Sequence, residues 1–199
     1  MSKIYRNYGK RTLDIVASLL GLILLLPFFI IIAAIVKGSS KGPIFFTQER
    51  LGKNFKPFQI IKFRSMIVNI ENKHSLVTAK GDKRITPIGR FLRRYKIDEL
   101  PQLMNVLKGE MSLVGPRPEV ARYIKSYQYQ FRQILSVSPG ITDNAAIKFK
   151  NEEDLLNQYK DKEKAYIEHI MPQKINLYME YINKISLIGD IKLIVKTIF

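Results

Sequence analysis

The stretch IVASLLGLILLLPFFIIIAAIV, residues 15–36, is an uncharged segment of 22 residues that decides how this chain can fold. As a straight helix it would measure ~33 Å, close to the roughly 30 Å of a bilayer's hydrocarbon core. It predicts a plain membrane-spanning helix, a re-entrant helix, or a helix buried in a protein core. A cleaved signal peptide is disfavoured, because the apolar run is too long and no small-residue cleavage site follows it.

Two features of this segment complicate a plain span. Pro27 lies near its centre, where a proline removes a backbone donor and crowds the preceding turn, so a sharp kink is expected. Both flanks are basic: Lys3, Arg6, Lys10 and Arg11 precede the segment, and Lys37 and Lys41 follow it. Because positive flanks prefer the cytoplasm, a helix that enters the membrane, bends at Pro27 and returns to the same face would satisfy both ends.

The composition limits the classes of partner and of chemistry. The 199 residues suit one folded unit plus one special segment, and 33 Lys and Arg against 17 Asp and Glu give a net charge of +16. Such a charge favours partners that carry phosphate, which include nucleic acid, nucleotides and anionic lipid. The chain has no cysteine, and its two histidines, His74 and His169, are far apart. Disulfides and thiolate chemistry are therefore excluded, and a histidine-based zinc site is disfavoured.

The rest of the chain predicts a mostly helical unit with little β-structure. The stretch GSSKGP (38–43) is a turn-forming linker, and two β-prone runs around Gly52, Lys53 and Asn54 predict a hairpin. Residues 67–84 are polar and loop-like. We therefore expect an α-rich α+β fold in two parts, a membrane-inserted segment 1–37 and a catalytic domain 38–199.

Two consecutive helices are expected after this loop. In ITPIGRFLRRYKI (85–97) a buried stripe is predicted that consists of Ile88, Phe91, Leu92 and Tyr95. In DELPQLMNVLKG (98–109), Asp98 is a suitable N-cap and Gly109 a suitable stop.

The C-terminus also has a membrane signature. In residues 183–199, apolar side chains recur at helical spacing while Lys184, Lys192 and Lys196 lie on another face. The pattern fits a helix that lies in the membrane interface, and fits equally a terminal helix packed on the core.

The pair Asp98 and Glu99 allows two interpretations. Both carboxylates favour the positive end of a helix dipole, which is a purely structural role. Alternatively, they form a phosphoryl-transfer site with cations from other loops, which are Lys62, Arg64, Arg93, Arg94 and Arg117. Arginines bind phosphate oxygens with paired donors, one carboxylate can hold Mg²⁺, and another can attack phosphorus. Arg117 is the least ordinary of these cations, because Pro116 and Pro118 restrict the backbone on both sides of it.

Several alternative activities lack their motifs. The sequence contains no P-loop, no dinucleotide-binding glycine pattern and no nucleophile elbow. A membrane-tethered basic protein that binds nucleic acid or anionic lipid without catalysis remains the alternative to an enzyme. Its nucleic-acid form is disfavoured, because the aromatic residues are interleaved with aliphatic ones as in a core, and no reader motif is present.

Four stretches together resemble the bacterial sugar transferases, the monotopic polyprenyl-phosphate phosphoglycosyl transferases. They are KRTLDIVASLLGLILLLPFF, KGPIFFTQERLGKNFKPFQIIKFRSM, GDKRITPIGRFLRRYKIDELPQLMNVLKGEMSLVGPRPE and PGIT, which cover most of residues 10–142. Their number, order and spacing make the resemblance specific.

The resemblance implies transfer of a phospho-sugar from a UDP-sugar to undecaprenyl phosphate with release of UMP. This is the first membrane step of assembly of a surface glycan, which is a capsule, O-antigen, exopolysaccharide or glycoprotein glycan. Asp98 would be the nucleophile and Glu99 its Mg²⁺-binding neighbour, with Lys62, Arg93 and Arg117 as phosphate-binding or supporting residues. Arg64 is included in the predicted phosphate-binding set because of its position in the loop with Lys62.

The resemblance also implies a location. The protein would be a monotopic enzyme at the cytoplasmic face of the bacterial inner membrane, with its re-entrant helix broken at Pro27. It would be one of the small forms without further N-terminal transmembrane helices. The sequence leaves a homodimer open.

Two departures from the family pattern bear on these expectations. Leu26 stands where several relatives have a serine before the breaking proline. After PGIT the chain continues DNAAIKFKNEED instead of a Q-V-N-G-R-like stretch. Lys148 or Lys150 would then replace the arginine, and Lys150 is included in the predicted substrate-binding set.

Overall fold

The structure, a computed structural model, describes residues 4–67 and 82–198. The predicted polar loop 67–84, with His74, lies almost entirely outside these residues. The described chain is rich in helix, as expected, and contains the small antiparallel hairpin that the sequence predicted.

The apolar segment forms one long helix, α1, Lys10–Ser39, which follows a π-helical turn at Tyr5–Gly9. The helix continues through Pro27 without interruption, whereas the sequence predicted a break at this residue. Continuity has a physical reason: in an apolar setting every backbone N–H and C=O group needs a partner, and a continuous helix supplies partners for all but the few groups next to the proline. The curvature of α1 stays a prediction.

Helix α1 is not a core helix. Its most apolar window has a mean hydropathy of 3.1, yet only 11% of that window is buried. The exposed apolar side chains include Leu20, Ile23, Leu24 and Leu26 in the middle of the helix. By length and composition α1 could cross a membrane, and the buried-core interpretation does not fit its exposure.

Both ends of α1 contact the same folded body. Near its start, Asp14 accepts hydrogen bonds from the Ser112 hydroxyl at 3.0 Å and from the Leu113 N–H at 2.9 Å. At its end, Arg64 donates to the carbonyls of Val36 at 3.0 Å and Ser40 at 2.6 Å. The apolar middle is therefore exposed between two anchored ends.

The predicted hairpin is confirmed. Strands β1 (Phe45–Leu51) and β2 (Pro57–Phe63) pair antiparallel, with Phe45 opposite Phe63 and Leu51 opposite Pro57. The turn includes Asn54 in the left-handed region, where asparagine is well tolerated. Lys62 lies near the end of β2.

Helices α2 (Pro87–Arg94) and α3 (Gln102–Lys108) follow. The Thr86 side chain caps α2, and Gly109, with φ of 84°, ends α3 as predicted. The N-cap predicted for Asp98 is wrong, because residues Ile97–Glu99 form a separate 3₁₀ turn and the N-cap of α3 is Pro101. Asp98 is thereby free for another role.

A short parallel pair was missed by the sequence analysis. Strand β3 (Ser112–Val114) pairs with β4 (Gly140–Thr142), so the stretch PGIT is a strand start and not only a turn. The backbones approach so closely that a Cβ on Gly140 would lie 2.0 Å from the Gly115 nitrogen. The Gly140 N–H also bonds the Pro116 carbonyl at 2.9 Å, which anchors the loop that carries Arg117.

The remaining helices build the main core. They are α4 (Ala121–Ile124), α5 (Gln128–Ile134), α6 (Asn144–Lys148), α7 (Glu152–Leu156), α8 (Lys162–Ala165), α9 (Met171–Asn183) and α10 (Leu187–Ile198), with a 3₁₀ turn at Lys125–Tyr127 and a π-helical turn at Tyr166–Ile170. The fully buried Phe131, Met171 and Tyr178 lie at the centre of this core.

The C-terminal helix α10 lies at the surface, where it is tied to the start of α1. Its buried Asp190 accepts hydrogen bonds from Tyr5 at 2.7 Å, Lys10 at 2.6 Å and Tyr181 at 3.0 Å. Much of the predicted apolar stripe is exposed: Leu187, Ile188, Ile191 and Val195. An interfacial position for α10 stays a prediction that this exposure favours.

Candidate active site

Glu99 is the centre of a charged cluster drawn from three parts of the chain. Its Oε1 accepts hydrogen bonds from Lys62 Nζ at 2.8 Å and from Arg117 Nη2 at 2.5 Å. Its Oε2 accepts from Arg117 Nη1 at 3.2 Å. The carboxylate is only 8% exposed, so these charge-assisted bonds compensate for its loss of water.

Asp98 differs from its neighbour. It is 5% exposed, and its Oδ1 is buried without a hydrogen-bond partner among the residues that the structure describes. An unpaired buried carboxylate oxygen is costly and uncommon in native proteins. This oxygen is therefore available to a substrate or a metal ion.

The environment separates the pKa values of the two carboxyls. Burial, and then the charge of Glu99, raise the pKa of Asp98. Burial alone would raise the pKa of Glu99 as well, but Arg117 and Lys62 outweigh it and hold that pKa well below its usual value. Two carboxyls with opposite shifts are typical of sites where they have different roles.

Arg93 is brought to the edge of the site, where it forms an ion pair with Glu153 of α7. It is close enough to Asp98 that its charge, like those of Lys62 and Lys96, lowers the pKa of that carboxyl. Lys96 adopts a left-handed conformation with φ of 57°, which turns the chain from α2 toward Asp98.

A buried network next to Arg117 was missed by the sequence analysis. Tyr166 donates to Glu119 at 2.8 Å and accepts from Lys174 at 3.2 Å, and Lys174 also pairs with Glu152. After Glu99, the charges of Glu119 and Glu152 also raise the pKa of Arg117. The acidic stretch NEED (151–154) is the sequence feature closest to this network, and by its pattern alone it predicts only a helix.

The contacts of Arg64 favour a structural role over the phosphate-binding role that was predicted for it. It is 3% exposed, and its guanidinium donates to the carbonyls of Val36, Ser40 and Pro43 at the end of α1 and in the following linker. The last carbonyls of a helix lack intrahelical partners, so a buried arginine here stabilises the junction between α1 and the domain.

Lys150 lies exposed in the turn between α6 and α7, and nearby Lys148 donates to Gln173 at 3.3 Å. The contacts described for Asp98 and Glu99 do not include Lys150. Its role in substrate binding stays a prediction.

Few carboxylates are positioned to act as ligands of a magnesium ion. Within residues 4–67 and 82–198 no group of three or more Asp, Glu, His or Cys could hold a metal. A Mg²⁺ ion that bridges to substrate phosphates needs only one or two protein carboxylates, and Asp98 and Glu99 meet this requirement. Asp98 has the available oxygen, whereas both oxygens of the predicted ligand, Glu99, already accept bonds from cations.

These features define an α-rich protein with one long, exposed apolar helix and a buried carboxylate pair beside lysine and arginine side chains. The chain belongs to the bacterial sugar transferase family, whose sequence profile matches residues 5–199.

Individual relatives are similar over almost the whole chain. A Klebsiella pneumoniae protein named UDP-glucose:undecaprenyl-phosphate glucose-1-phosphate transferase is 41% identical over 197 residues, with 96% of this chain and 39% of the relative covered. A UDP-N-acetylgalactosamine-undecaprenyl-phosphate N-acetylgalactosaminephosphotransferase of Aeromonas hydrophila is 38% identical over 202 residues, covering 99% and 44%. A UDP-glucose:undecaprenyl-phosphate glucose-1-phosphate transferase of Caulobacter vibrioides is 36% identical over 201 residues, covering 100% and 71%. The chain thus spans about two fifths of the length of the first two relatives.

Proposed function

We propose that this protein transfers a phospho-sugar from a UDP-sugar to undecaprenyl phosphate and releases UMP, as the first membrane step in the assembly of a surface glycan. One observation carries the proposal: in the part of the chain that the structure describes, Asp98 has a buried oxygen without a hydrogen-bond partner, beside a Glu99 that is held by two cations. The names of the relatives support the donor and acceptor classes. Because those names include both glucose and N-acetylgalactosamine, the sugar is left unassigned.

In the first step, an Asp98 carboxylate oxygen attacks the β-phosphorus of the donor. A bond forms between this oxygen and phosphorus, and the bond to the bridging oxygen between the two phosphates breaks, so UMP leaves with that electron pair. The phospho-sugar stays on Asp98 as an acyl phosphate. The raised pKa of Asp98 makes its carboxylate a stronger nucleophile than an ordinary aspartate.

In the second step, a phosphate oxygen of the lipid attacks the same phosphorus. The acyl phosphate bond breaks, Asp98 recovers its carboxylate, and the product is a lipid diphosphate sugar. A covalent intermediate lets one site handle a water-soluble donor and a lipid acceptor in turn.

The surrounding residues position the donor and stabilise its charge. Lys62 and Arg117 hold Glu99 next to Asp98, and Arg93 reaches the diphosphate when Glu153 releases it. An Asp98 oxygen that does not attack phosphorus would hold a Mg²⁺ ion, joined by Glu99 only if Glu99 exchanged a cation contact for the metal, and the ion would supply charge that stabilises the departing phosphate.

We place the site at the cytoplasmic face of the inner membrane, with α1 as a monotopic, re-entrant element. This placement is supported by the basic flanks of α1, by the contacts of both of its ends with one folded body, and by its exposed apolar middle. The exposed apolar face of α10 would lie in the same interface.

The test is the intact mass of the purified protein after incubation with Mg²⁺ and a panel of UDP-sugars, without lipid. We expect a phosphosugar adduct and UMP with one or more donors, and no adduct on Asp98→Asn. UMP that appears only after lipid phosphate is added, without any adduct, would indicate direct transfer and refute the covalent step. A wild-type protein that releases no UMP under either condition would refute the proposed reaction.

A further inference from the structure

Helix α2, which leads through Lys96 into the 3₁₀ turn of Asp98, carries an exposed aromatic pair. Of the stripe that the sequence predicted to be buried, Leu92 is fully buried and Ile88 partly so. Phe91 and Tyr95, in contrast, are 48% and 58% exposed. Their ring centroids lie 5.0 Å apart, so the two side chains form one apolar surface and are not two isolated exposures.

This pair adjoins the apolar helix. Leu92 packs with Ile32 and Val36 of α1, and Ile88 contacts the same cluster. At 100° per residue, Phe91 and Tyr95 lie roughly 60–100° around α2 from Leu92, on the side of Ile88. The aromatic pair therefore lies on the flank of α2 that is nearest in rotation to Ile88, which packs in the cluster with α1.

Positive charge borders the same surface. Arg90, Arg94 and Lys96 are exposed, and the Arg94 guanidinium lies 5.8 Å from the centre of the Tyr95 ring. The chain then turns at Lys96 and reaches Asp98 two residues later. Apolar rings, cations and the reacting carboxylate thus follow one another along a single stretch of chain.

This order matches the order of chemical groups in a lipid phosphate. Its anionic head would lie at Lys96 and Arg94 within reach of Asp98, while the first apolar units of its chain would cover the two rings and continue toward α1. A nucleotide fits the surface less well, because at 100° per residue both rings lie about 160° around α2 from Arg93, which pairs with Glu153.

We propose that Phe91 and Tyr95 form the wall of the acceptor site and contact the isoprenoid chain of the polyprenyl phosphate next to its head group. The inference rests on the proposed function, which supplies the acceptor class. It assigns the two rings a role in the second step of the reaction only.

The test separates the two half-reactions in the double variant Phe91→Ala/Tyr95→Ala. The matched control is Tyr129→Ala on α5, a ring that is 84% exposed on another helix. Donor-dependent UMP release without lipid should stay within about twofold of wild type, because neither ring contacts the donor. The KM for undecaprenyl phosphate should rise about tenfold, while the control leaves it unchanged. The Tm of each variant shows that folding is retained.

A second measurement distinguishes a lipid-acceptor site from general membrane contact. Binding of a short-chain, water-soluble isoprenyl phosphate in detergent reports the site without a bilayer and without catalysis. We expect its Kd to rise about tenfold in the double variant. An unchanged Kd, or an equal loss in the donor half-reaction, would overturn the inference. If the wild type binds this lipid phosphate but never releases UMP, the proposed reaction is wrong, while the assignment of a lipid-binding surface to the two rings is retained.

Discussion

Asp98 and Glu99 are neighbours in the chain, but within residues 4–67 and 82–198 cations donate hydrogen bonds to Glu99, while the Oδ1 of Asp98 is buried without a hydrogen-bond partner. The 3₁₀ turn Ile97–Glu99 makes this difference feasible, because it directs consecutive side chains toward different surroundings. Glu99 faces β2 and the loop of Arg117. Removing the charge of Asp98 and removing the charge of Glu99 should therefore affect stability and activity differently.

We expect Asp98→Asn to be stable and inactive, and Glu99→Gln to be unstable. The first substitution removes a charge that burial disfavours, so Tm should stay equal or rise, while the transfer rate falls by on the order of 10⁴-fold. The second leaves Lys62 and Arg117 without their buried anion and should cost about 3 kcal/mol. Thermal unfolding in detergent and UMP release measure the two effects. Loss of stability in Asp98→Asn would contradict this assignment.

The rate of adduct formation should depend on the ionisation of Asp98. Because burial raises its pKa above 3.8, the rate without lipid should fall with decreasing pH at a higher midpoint than for an ordinary aspartate. Lys96→Asn removes a cation that lowers this pKa, and asparagine tolerates the left-handed backbone there. The midpoint should move upward in this variant and stay in place in Lys108→Asn, an exposed lysine at the end of α3. If the rate of adduct formation depended on pH identically in Lys96→Asn and Lys108→Asn, the role of the Asp98 carboxylate as nucleophile would be contradicted.

We expect the Arg64 side chain to contribute to stability and not to substrate binding. Arg64→Ala leaves the carbonyls of Val36, Ser40 and Pro43 without their donors and should lower the free energy of unfolding by about 2–3 kcal/mol. The KM for the donor in UMP release should change less than about twofold, because the side chain does not reach the substrate. Arg132→Ala, at an exposed position on α5, is the control for both measurements. A large rise in KM without loss of stability would restore the phosphate-binding role.

Asp143 should make stability depend on pH. It caps α6 through Ala146 N–H at 2.7 Å, and burial raises its pKa from 3.8 to about 6. Between these values the folded protein binds the proton and the unfolded chain does not, so stability falls as pH rises and is lowest, by about 3 kcal/mol, above pH 6.

The substitution Asp143→Asn keeps a capping oxygen and removes this charge. We expect it to raise Tm at pH 8 and to have no effect near pH 4. The control is Asp161→Asn, because Asp161 caps α8 through Lys164 N–H at 3.0 Å but is exposed. A gain in Tm that is equal at every pH would show that the charge of Asp143 is not responsible.

The local elements were largely predictable. Two β-prone runs around Gly52, Lys53 and Asn54 predicted the hairpin, and Gly109 predicted the end of α3, because both depend on neighbours in the chain. The parallel pair of β3 and β4 was not predictable. Each strand has three residues, and pairing joins segments that lie far apart in the sequence.

The residue types around Asp98, Glu99 and Arg117 allowed either a structural role at a helix start or phosphate chemistry, and the family resemblance favoured the second. The contacts that each cation makes were not visible in the sequence. Arg64 and Lys62 are two residues apart on one strand end, yet Lys62 binds Glu99 and Arg64 binds the end of α1. Local periodicity and residue type thus determine the elements and the chemistry that the chain can perform. Only tertiary packing decides which charges meet, because ion pairs such as Lys62–Glu99 and Lys174–Glu152 form between segments that the folded core alone brings together.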